Sequence, residues 1–128
     1  MRALMLIAVT AMIAGCSNPP VTPGAGVGAV DLLAGRIEGA PQACISTNTA
    51  ENIHALDAQT LAYGYGRTIF VNRLQAPCPA IGEGNTIIVD AATGNQYCRG
   101  DWVRGREPGA IIAGPSCNLQ DWVPYRQP

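Results

Sequence analysis

The 128-residue sequence contains no lysine, a single histidine and a single phenylalanine. Charged residues make up only 13% of the chain, and its formal net charge is −1. This near-neutral balance excludes the basic stripe with which nucleic-acid-binding proteins contact phosphates. The low charge content also excludes the composition of a charge-rich disordered tail. The length is sufficient for one domain at most.

The longest apolar run, at the N-terminus, is too short to cross a membrane as a helix. After Arg2 it covers residues 3–13, about 11 residues, whereas a spanning helix needs roughly 20. A positive start followed by a short apolar run is typical of a secretory signal. The run ends in IAGC at residues 13–16, which resembles a bacterial lipobox. In a lipobox the cysteine sulfur, here that of Cys16, receives a diacylglycerol group.

This resemblance implies a signal peptide at residues 1–15 and a mature chain that begins with lipidated Cys16. Bacterial lipoproteins carry three acyl chains at this cysteine, and two or more chains hold a protein stably on a membrane. Ser17 occupies the position that sorts lipoproteins between membranes, and a residue other than Asp there implies the outer membrane. We therefore expect a lipid-anchored protein that faces the periplasm.

A segment rich in proline and glycine follows the expected anchor. Residues 17–28 contain three Pro and three Gly, a composition typical of a tether. The glycines do not form a dinucleotide-binding fingerprint, because prolines precede them where a strand is required. Residues 29–37 are expected to form a short helix or a loop that packs on the domain. We assign the lipidated N-terminus and tether to residues 16–40 and a folded domain to residues 41–128.

Within the expected domain, short apolar runs alternate with turn residues, and no window shows a helical period over three turns. The sequence therefore predicts an all-β domain, a small antiparallel barrel or sandwich. The run at 86–90 is expected to form a hairpin with the run at 95–98. The expected strands cover residues 53–56, 60–65, 67–72, 86–90, 95–98, 101–106, 110–113 and 120–125.

The cysteine count of five is odd, and the lipobox accounts for one. About 88 residues bury only roughly 60–65% of their unfolded surface, and small exported domains of this kind depend on disulfides. Four cysteines allow three connectivities, of which the expected hairpin favours Cys78–Cys98 with Cys44–Cys117. Their spacing does not match that of zinc ligands, so we expect neither a metal nor a cofactor.

Residues suited to catalysis are few. Ser116 lies in GPSCN at residues 114–118, which lacks the second glycine of a nucleophile elbow. His54 is the only imidazole and therefore the only ready general base at neutral pH. Glu51 and Asp57 lie three residues on either side of it, and they would share its face in a helix but not in a strand. We expect no catalysis, and a small hydrolase that uses His54 is the weaker alternative.

Tryptophan and arginine side chains are the better functional candidates, because they are enriched in binding hot spots. The tripeptide Asp-Trp-Val occurs at residues 101–103 and again at 121–123. The other interpretation of both tryptophans is that they complete the core. The binding candidates are Trp102, Arg104, Arg106 and Trp122.

Several motifs resemble those of an uncharacterised family of small exported proteins from alphaproteobacteria. They are GRIEGAPQACI at 35–45, GRT at 66–68, VNR at 71–73, CRGD at 98–101 and WVPYRQP at 122–128. The resemblance spans residues 33–128, implies a location in a Gram-negative envelope and assigns no activity.

The combined expectation is an envelope lipoprotein that acts as a binding or structural module, with an envelope protein and not a nucleic acid as its partner. An inhibitor of a lysozyme or protease is the alternative. Known lysozyme-inhibitor lipoproteins are similar in size and β architecture, but that is an analogy of fold. In an inhibitor, a loop such as residues 99–109 would be expected to enter the enzyme.

Overall fold

The computed structural model describes Gly15 and residues 31–128. Outside the described residues lie residues 1–14 of the expected signal peptide, the expected lipidation site Cys16, and residues 17–30 of the expected tether. The described chain is almost entirely β, and every strand pairing in it is antiparallel, which confirms the predicted fold class. Its strands are β1 (Ile37–Glu38), β2 (Cys44–Ser46), β3 (Ile53–Ala55), β4 (Thr60–Tyr63), β5 (Thr68–Arg73), β6 (Thr86–Asp90), β7 (Gln96–Cys98), β8 (Trp102–Arg106), β9 (Cys117–Asn118) and β10 (Trp122–Arg126).

The strands form three sheets that share one core. A five-stranded sheet has the order β1-β10-β5-β4-β3, a three-stranded sheet the order β6-β8-β9, and β2 pairs with β7. Successive side chains of a strand point to opposite faces, so Ile69 and Val71, which alternate in the predicted strand 67–72, share one face of β5, and both are buried. All three sheets contribute to the main core, whose buried members are Ile45, Ala55, Leu61, Tyr63, Leu74, Cys78, Ile81, Val103, Leu119 and Trp122.

The second face of the five-stranded sheet is covered by the start of the described chain. Residues 31–33 are helical, and Leu32 and Leu33 pack against the buried cluster that contains Ile69 and Val71. Strand β1 then pairs with β10 along the edge of the sheet. These contacts lie N-terminal to residue 41, where the sequence placed the start of the domain. They remove from water an apolar face that would otherwise be exposed.

The expected hairpin between residues 86–90 and 95–98 is wrong. Strand β6 pairs with β8, and β7 pairs with β2. The buried carboxylate of Asp101 explains the turn that separates β7 from β8, because it accepts hydrogen bonds from the backbone N–H groups of Cys98, at 2.8 Å, and Ala92, at 3.3 Å. This turn directs the chain back along β6 as β8 and leaves β7 to pair with β2.

The nested disulfide pairing is also wrong, because it depended on that hairpin. The bridges join Cys44 to Cys98 and Cys78 to Cys117, 54 and 39 residues apart in sequence, so the two closed loops overlap. Cys44 and Cys98 lie directly opposite each other in the β2–β7 ladder. The chain-entropy model gives about 4 kcal/mol of stabilisation for a loop of either length.

Candidate functional site

Three of the four binding candidates share the outer face of the three-stranded sheet. Trp102, Arg104 and Arg106 are alternate residues of β8, so they point the same way, while Val103 and Gly105 between them are buried. We call the outward set, Trp102, Arg104 and Arg106, the Trp102 face. Trp102 is 52% exposed, which is a large fraction for an aromatic side chain within a strand.

The arginines of the Trp102 face differ in their contacts. Arg104 is half-buried and forms an ion pair with Asp90 of β6, with 3.1 Å between Nη2 and Oδ2. Arg106 is exposed, and it forms no ion pair with any residue that the structure describes. Glu107 follows it and is exposed as well. The two acids, Asp90 and Glu107, balance the two arginines, so this surface carries no net charge.

The loop between β8 and β9 exposes two adjacent isoleucines. Ile111 is 95% exposed and Ile112 84% exposed, and we call this pair the isoleucine tip. The sequence predicted a strand over residues 110–113, but the run forms no ladder and lies in a bend. Turn residues on both sides of the run, Pro108-Gly109 and Gly114-Pro115, are the signal in the sequence that pointed to a loop instead.

The base of this loop is held at several points. The backbone N–H of Gly114 donates to the carbonyl of Gly105 at 2.7 Å, and that of Ala110 donates to Glu107 at 3.1 Å. Cys117 then joins the loop's end to Cys78 through a disulfide. The middle of the expected protruding segment, residues 99–109, is strand β8 instead. The segment that extends from the sheet begins only after Arg106.

Trp122, the fourth candidate, is not at the surface. It is 0% exposed, because it lies in β10 between β1 and β5 and points into the main core. Its backbone N–H and carbonyl form reciprocal 2.8 Å hydrogen bonds with Gln42. Its indole nitrogen is buried and finds no hydrogen-bond partner among the described residues. Trp122 therefore stabilises the fold and is not available to a binding partner.

His54 lies on β3, on the face of the sheet opposite the main core. Its ring stacks on that of Tyr65, with 4.4 Å between the ring centroids and 6° between the planes. The sequence placed Tyr65 in a strand with Tyr63, but β4 ends at Tyr63, and Gly64 has a φ of +86°. This left-handed conformation, which glycine adopts readily, carries Tyr65 away from the core and onto His54.

Burial and ring stacking dominate the surroundings of the His54 imidazole. Burial lowers the pKa of its imidazole below the ordinary value of 6.5, and a hydrogen bond with the backbone of Asn52 acts in the opposite direction to a smaller extent. Its Nδ1 atom is buried, with no hydrogen-bond partner among the residues that the structure describes. Of the two carboxylates that lie three residues from it in sequence, Glu51 lies against Gly64, and Asp57 accepts a hydrogen bond from the backbone of Gln59 at 2.8 Å.

A cavity of about 460 Å³ opens beside the His54–Tyr65 pair. We call it the His54 cavity. The pair itself, the end of β3 with Leu56, the helical residue Leu32 and the loop before β6 form its walls. Its lining residues are Leu32, His54, Ala55, Leu56, Tyr65, Glu83, Gly84 and Asn85. Nothing in the sequence pattern pointed to this cavity, because its walls are distant from one another along the chain.

No helix within the described ranges combines the length and apolar character needed to span a membrane. Over the same ranges, no three His, Cys, Asp or Glu side chains lie together as a potential metal site. No protein-family model, no curated protein sequence and no solved structure matches the chain.

Proposed function

We propose that this chain is a lipoprotein of the outer membrane that faces the periplasm and binds another envelope protein without catalysis. The lipobox resemblance at Cys16 and the tether-like composition of residues 17–28 support the anchor. The small number of nucleophiles and bases, with His54 as the only imidazole, supports a role in binding. The binding surface consists of the Trp102 face and the isoleucine tip.

The observation that carries the proposal is the exposure of Trp102, Ile111 and Ile112 on β8 and the loop that follows it. Their exposed fractions are 52%, 95% and 84%. Such side chains contribute little to the stability of the isolated domain, but they release water when a partner covers them. Arg106, at the end of β8 between them in the chain, adds a residue type that is frequent in hot spots.

A protein partner fits this surface better than a bilayer does. The surface has no net charge, since Asp90 and Glu107 balance Arg104 and Arg106, so it lacks the basic cluster that anionic lipids attract. The Arg104–Asp90 ion pair also presents directional polar groups, which another protein can match. The partner that this chemistry describes has an apolar cleft for the isoleucine tip and polar groups at its rim.

The inhibitor alternative is supported by the way the loop is held. A hydrogen bond between Gly105 and Gly114 and the Cys78–Cys117 disulfide restrain its base. A loop that is already ordered loses less conformational entropy when it enters a partner, which favours tight binding. An envelope lysozyme or protease with an apolar subsite is the target class that such a tip would fit.

Site-specific photocrosslinking in the native membrane tests the binding proposal. A photoreactive residue at position 112 should yield one discrete protein adduct. The same residue at exposed Gln127, beyond the end of β10, should not, and an excess of soluble domain should abolish the adduct unless it carries I111D and I112D. Adducts with lipid alone, or equal patterns from both positions, would contradict a protein partner.

The anchor is tested separately by mass spectrometry of the mature chain. We expect an N-terminus at Cys16 that carries diacylglycerol and an amide-linked acyl chain, and we expect Cys16→Ala to release the protein from membranes. A mature chain with an unmodified Cys16 would refute the anchor and leave the binding surface unaffected.

The inhibitor alternative has its own test. The soluble domain is incubated with lysozymes and secreted proteases, in parallel with the I111D/I112D variant. Inhibition at micromolar concentration that the variant loses would support it. Absence of inhibition by the unaltered domain would remove it and would leave the broader binding proposal in place.

A further inference from the structure

We infer that the His54 cavity binds a small organic cation, a protonated amine or a quaternary ammonium that carries an apolar group. The cavity belongs to the edge of the five-stranded sheet, whereas the proposed protein-binding surface belongs to the three-stranded sheet. The inference therefore does not depend on the proposed function.

The size of the cavity suits a small molecule. Its volume of about 460 Å³ lies within the range of roughly 300–1,000 Å³ that ligand sites occupy. Leu32 and Leu56 provide an apolar wall for the uncharged part of a ligand. Both also belong to the cluster that packs against Ile69 and Val71, so the wall is part of the packed fold.

The aromatic wall favours a positive charge. The rings of His54 and Tyr65 are nearly parallel, both residues line the cavity, and Tyr65 is 62% exposed. The face of an aromatic ring carries partial negative charge and attracts a cation placed over it. Ammonium groups, including quaternary ones, are held in this way.

The opposite wall offers hydrogen-bond acceptors. Glu83 contributes an exposed carboxylate. Asn85 also lines the cavity; its amide nitrogen donates one hydrogen bond to the carbonyl of Ala80 at 3.0 Å, and its Oδ1 is an acceptor. The backbone N–H of Asn85 donates to Gly82 at 3.1 Å, so this wall is formed before a ligand arrives. A carboxylate and an amide oxygen suit a ligand that donates, as an ammonium does.

No side chain that lines the cavity carries a positive charge that would repel a cation. Burial lowers the pKa of His54, which keeps its imidazole neutral at pH 7. Arg36 contacts the cavity residue Leu32, but its guanidinium donates to the carbonyls of Leu32, Gly66 and Arg67 at 3.0 Å each and does not line the cavity. Among the described residues, the cavity therefore has one formal charge, that of Glu83.

Three ligands that differ mainly in charge test the inference on the soluble form of the chain. They are phenethylammonium, 2-phenylethanol and phenylacetate, compared by calorimetry and by NMR shifts of the His54 and Tyr65 rings. We expect phenethylammonium to bind and to shift both rings. We expect the neutral alcohol to bind about tenfold more weakly, because it lacks the charge-assisted contact, and phenylacetate not to bind.

Two substitutions and one control locate the site. Glu83→Gln should weaken phenethylammonium binding about tenfold, and Tyr65→Leu should weaken it as well by removing the ring. Both side chains are exposed, so thermal unfolding should change little. Glu38→Gln, on β1 at the opposite edge of the sheet, removes an equal charge and should leave the affinity unchanged.

Equal binding of the three ligands, no binding of phenethylammonium at millimolar concentration, or full affinity in Glu83→Gln would each overturn the inference. The I111D/I112D variant separates this site from the proposed protein-binding surface. It should bind phenethylammonium as the unaltered chain does, while losing the crosslinked protein.

Discussion

The two Asp-Trp-Val segments begin strands β8 and β10, yet they turn their tryptophans in opposite directions. Trp102 is 52% exposed on the outer face of its sheet, whereas Trp122 is fully buried in the core. The aspartates are reversed as well, since Asp101 is only 8% exposed and Asp121 forms a surface ion pair with Arg99 at 2.9 Å. The same tripeptide thus places its tryptophan at the surface in one strand and in the core in the other.

The backbone that precedes each strand explains the difference. Asp101 uses its carboxylate to hold the turn after β7, so the next residue, Trp102, starts β8 facing outward. In the second segment, paired backbone hydrogen bonds to Gln42 hold Trp122 in β10. Because side chains alternate with a period of two, a shift of one residue exchanges the faces of a whole strand. A tripeptide alone does not determine the side on which its tryptophan lies.

Substituting the tryptophans is the strongest test of this comparison. Trp122→Ala should lower the free energy of unfolding by about 3–5 kcal/mol, because it leaves a large cavity in the core. Trp102→Ala should change it by no more than about 0.5 kcal/mol, as is usual for a surface substitution. Urea denaturation measures both values. Similar losses from the two substitutions would contradict the opposite placements.

Gly105 lies on the inward face of β8, and its substitution should have the next largest effect on the free energy of unfolding. A Cβ atom at this position would collide with the backbone carbonyl of Ala80, so the chain passes too close for any larger residue. Gly105→Ala should cost about 1–3 kcal/mol through overpacking. Gly94→Ala is the matched control, since a Cβ there would meet no atom within 4 Å. An unchanged melting temperature in Gly105→Ala would contradict this close approach.

Substitution of the two aspartates should also lower the free energy of unfolding unequally, with a smaller difference than for the tryptophans. Asp101→Ala leaves the N–H groups of Cys98 and Ala92 without their acceptor, and it should cost about 1–3 kcal/mol. Asp121→Ala breaks only the surface ion pair with Arg99 and should cost less than about 1 kcal/mol. Equal effects in chemical denaturation would show that the Asp101 carboxylate does not hold the turn.

The smallest expected effect lies outside both segments, at His54. Because burial lowers the pKa of the folded imidazole below 6.5, the unfolded chain binds the proton more readily. Stability from this group is therefore fully present above pH 6.5 and declines as the pH falls below it. His54→Gln should reduce the decline in the free energy of unfolding between pH 7 and pH 5.5. A steeper decline in the variant would contradict the sign of the shift.

Local patterns predicted the β class and the alternation within β5, because each depends on a few neighbouring residues. They did not predict how strands pair. The run at 86–90 was assigned correctly as a strand, but its partner was not, since a buried carboxylate directs the turn before β8. The disulfide connectivity was wrong for the same reason.

The candidate site was predicted in part. Trp102, Arg104 and Arg106 share a face because they alternate in one strand. The isoleucine tip was predicted as a strand, because apolar β-branched residues favour strands. Turn residues on both sides of the run favoured a loop, and the fold shows that no strand among the described residues pairs with it. The His54 cavity combines residues that are far apart in sequence, which no local pattern connects.

Crosslinking from position 112 in the native membrane, compared between the unaltered chain and the Trp102→Ala variant, tests the central claim most directly. The account predicts a discrete protein adduct that Trp102→Ala strongly reduces while the variant still melts as a folded domain. An adduct with lipid only, or a protein adduct of undiminished yield in Trp102→Ala, would contradict the claim that the Trp102 face and the isoleucine tip together bind an envelope protein.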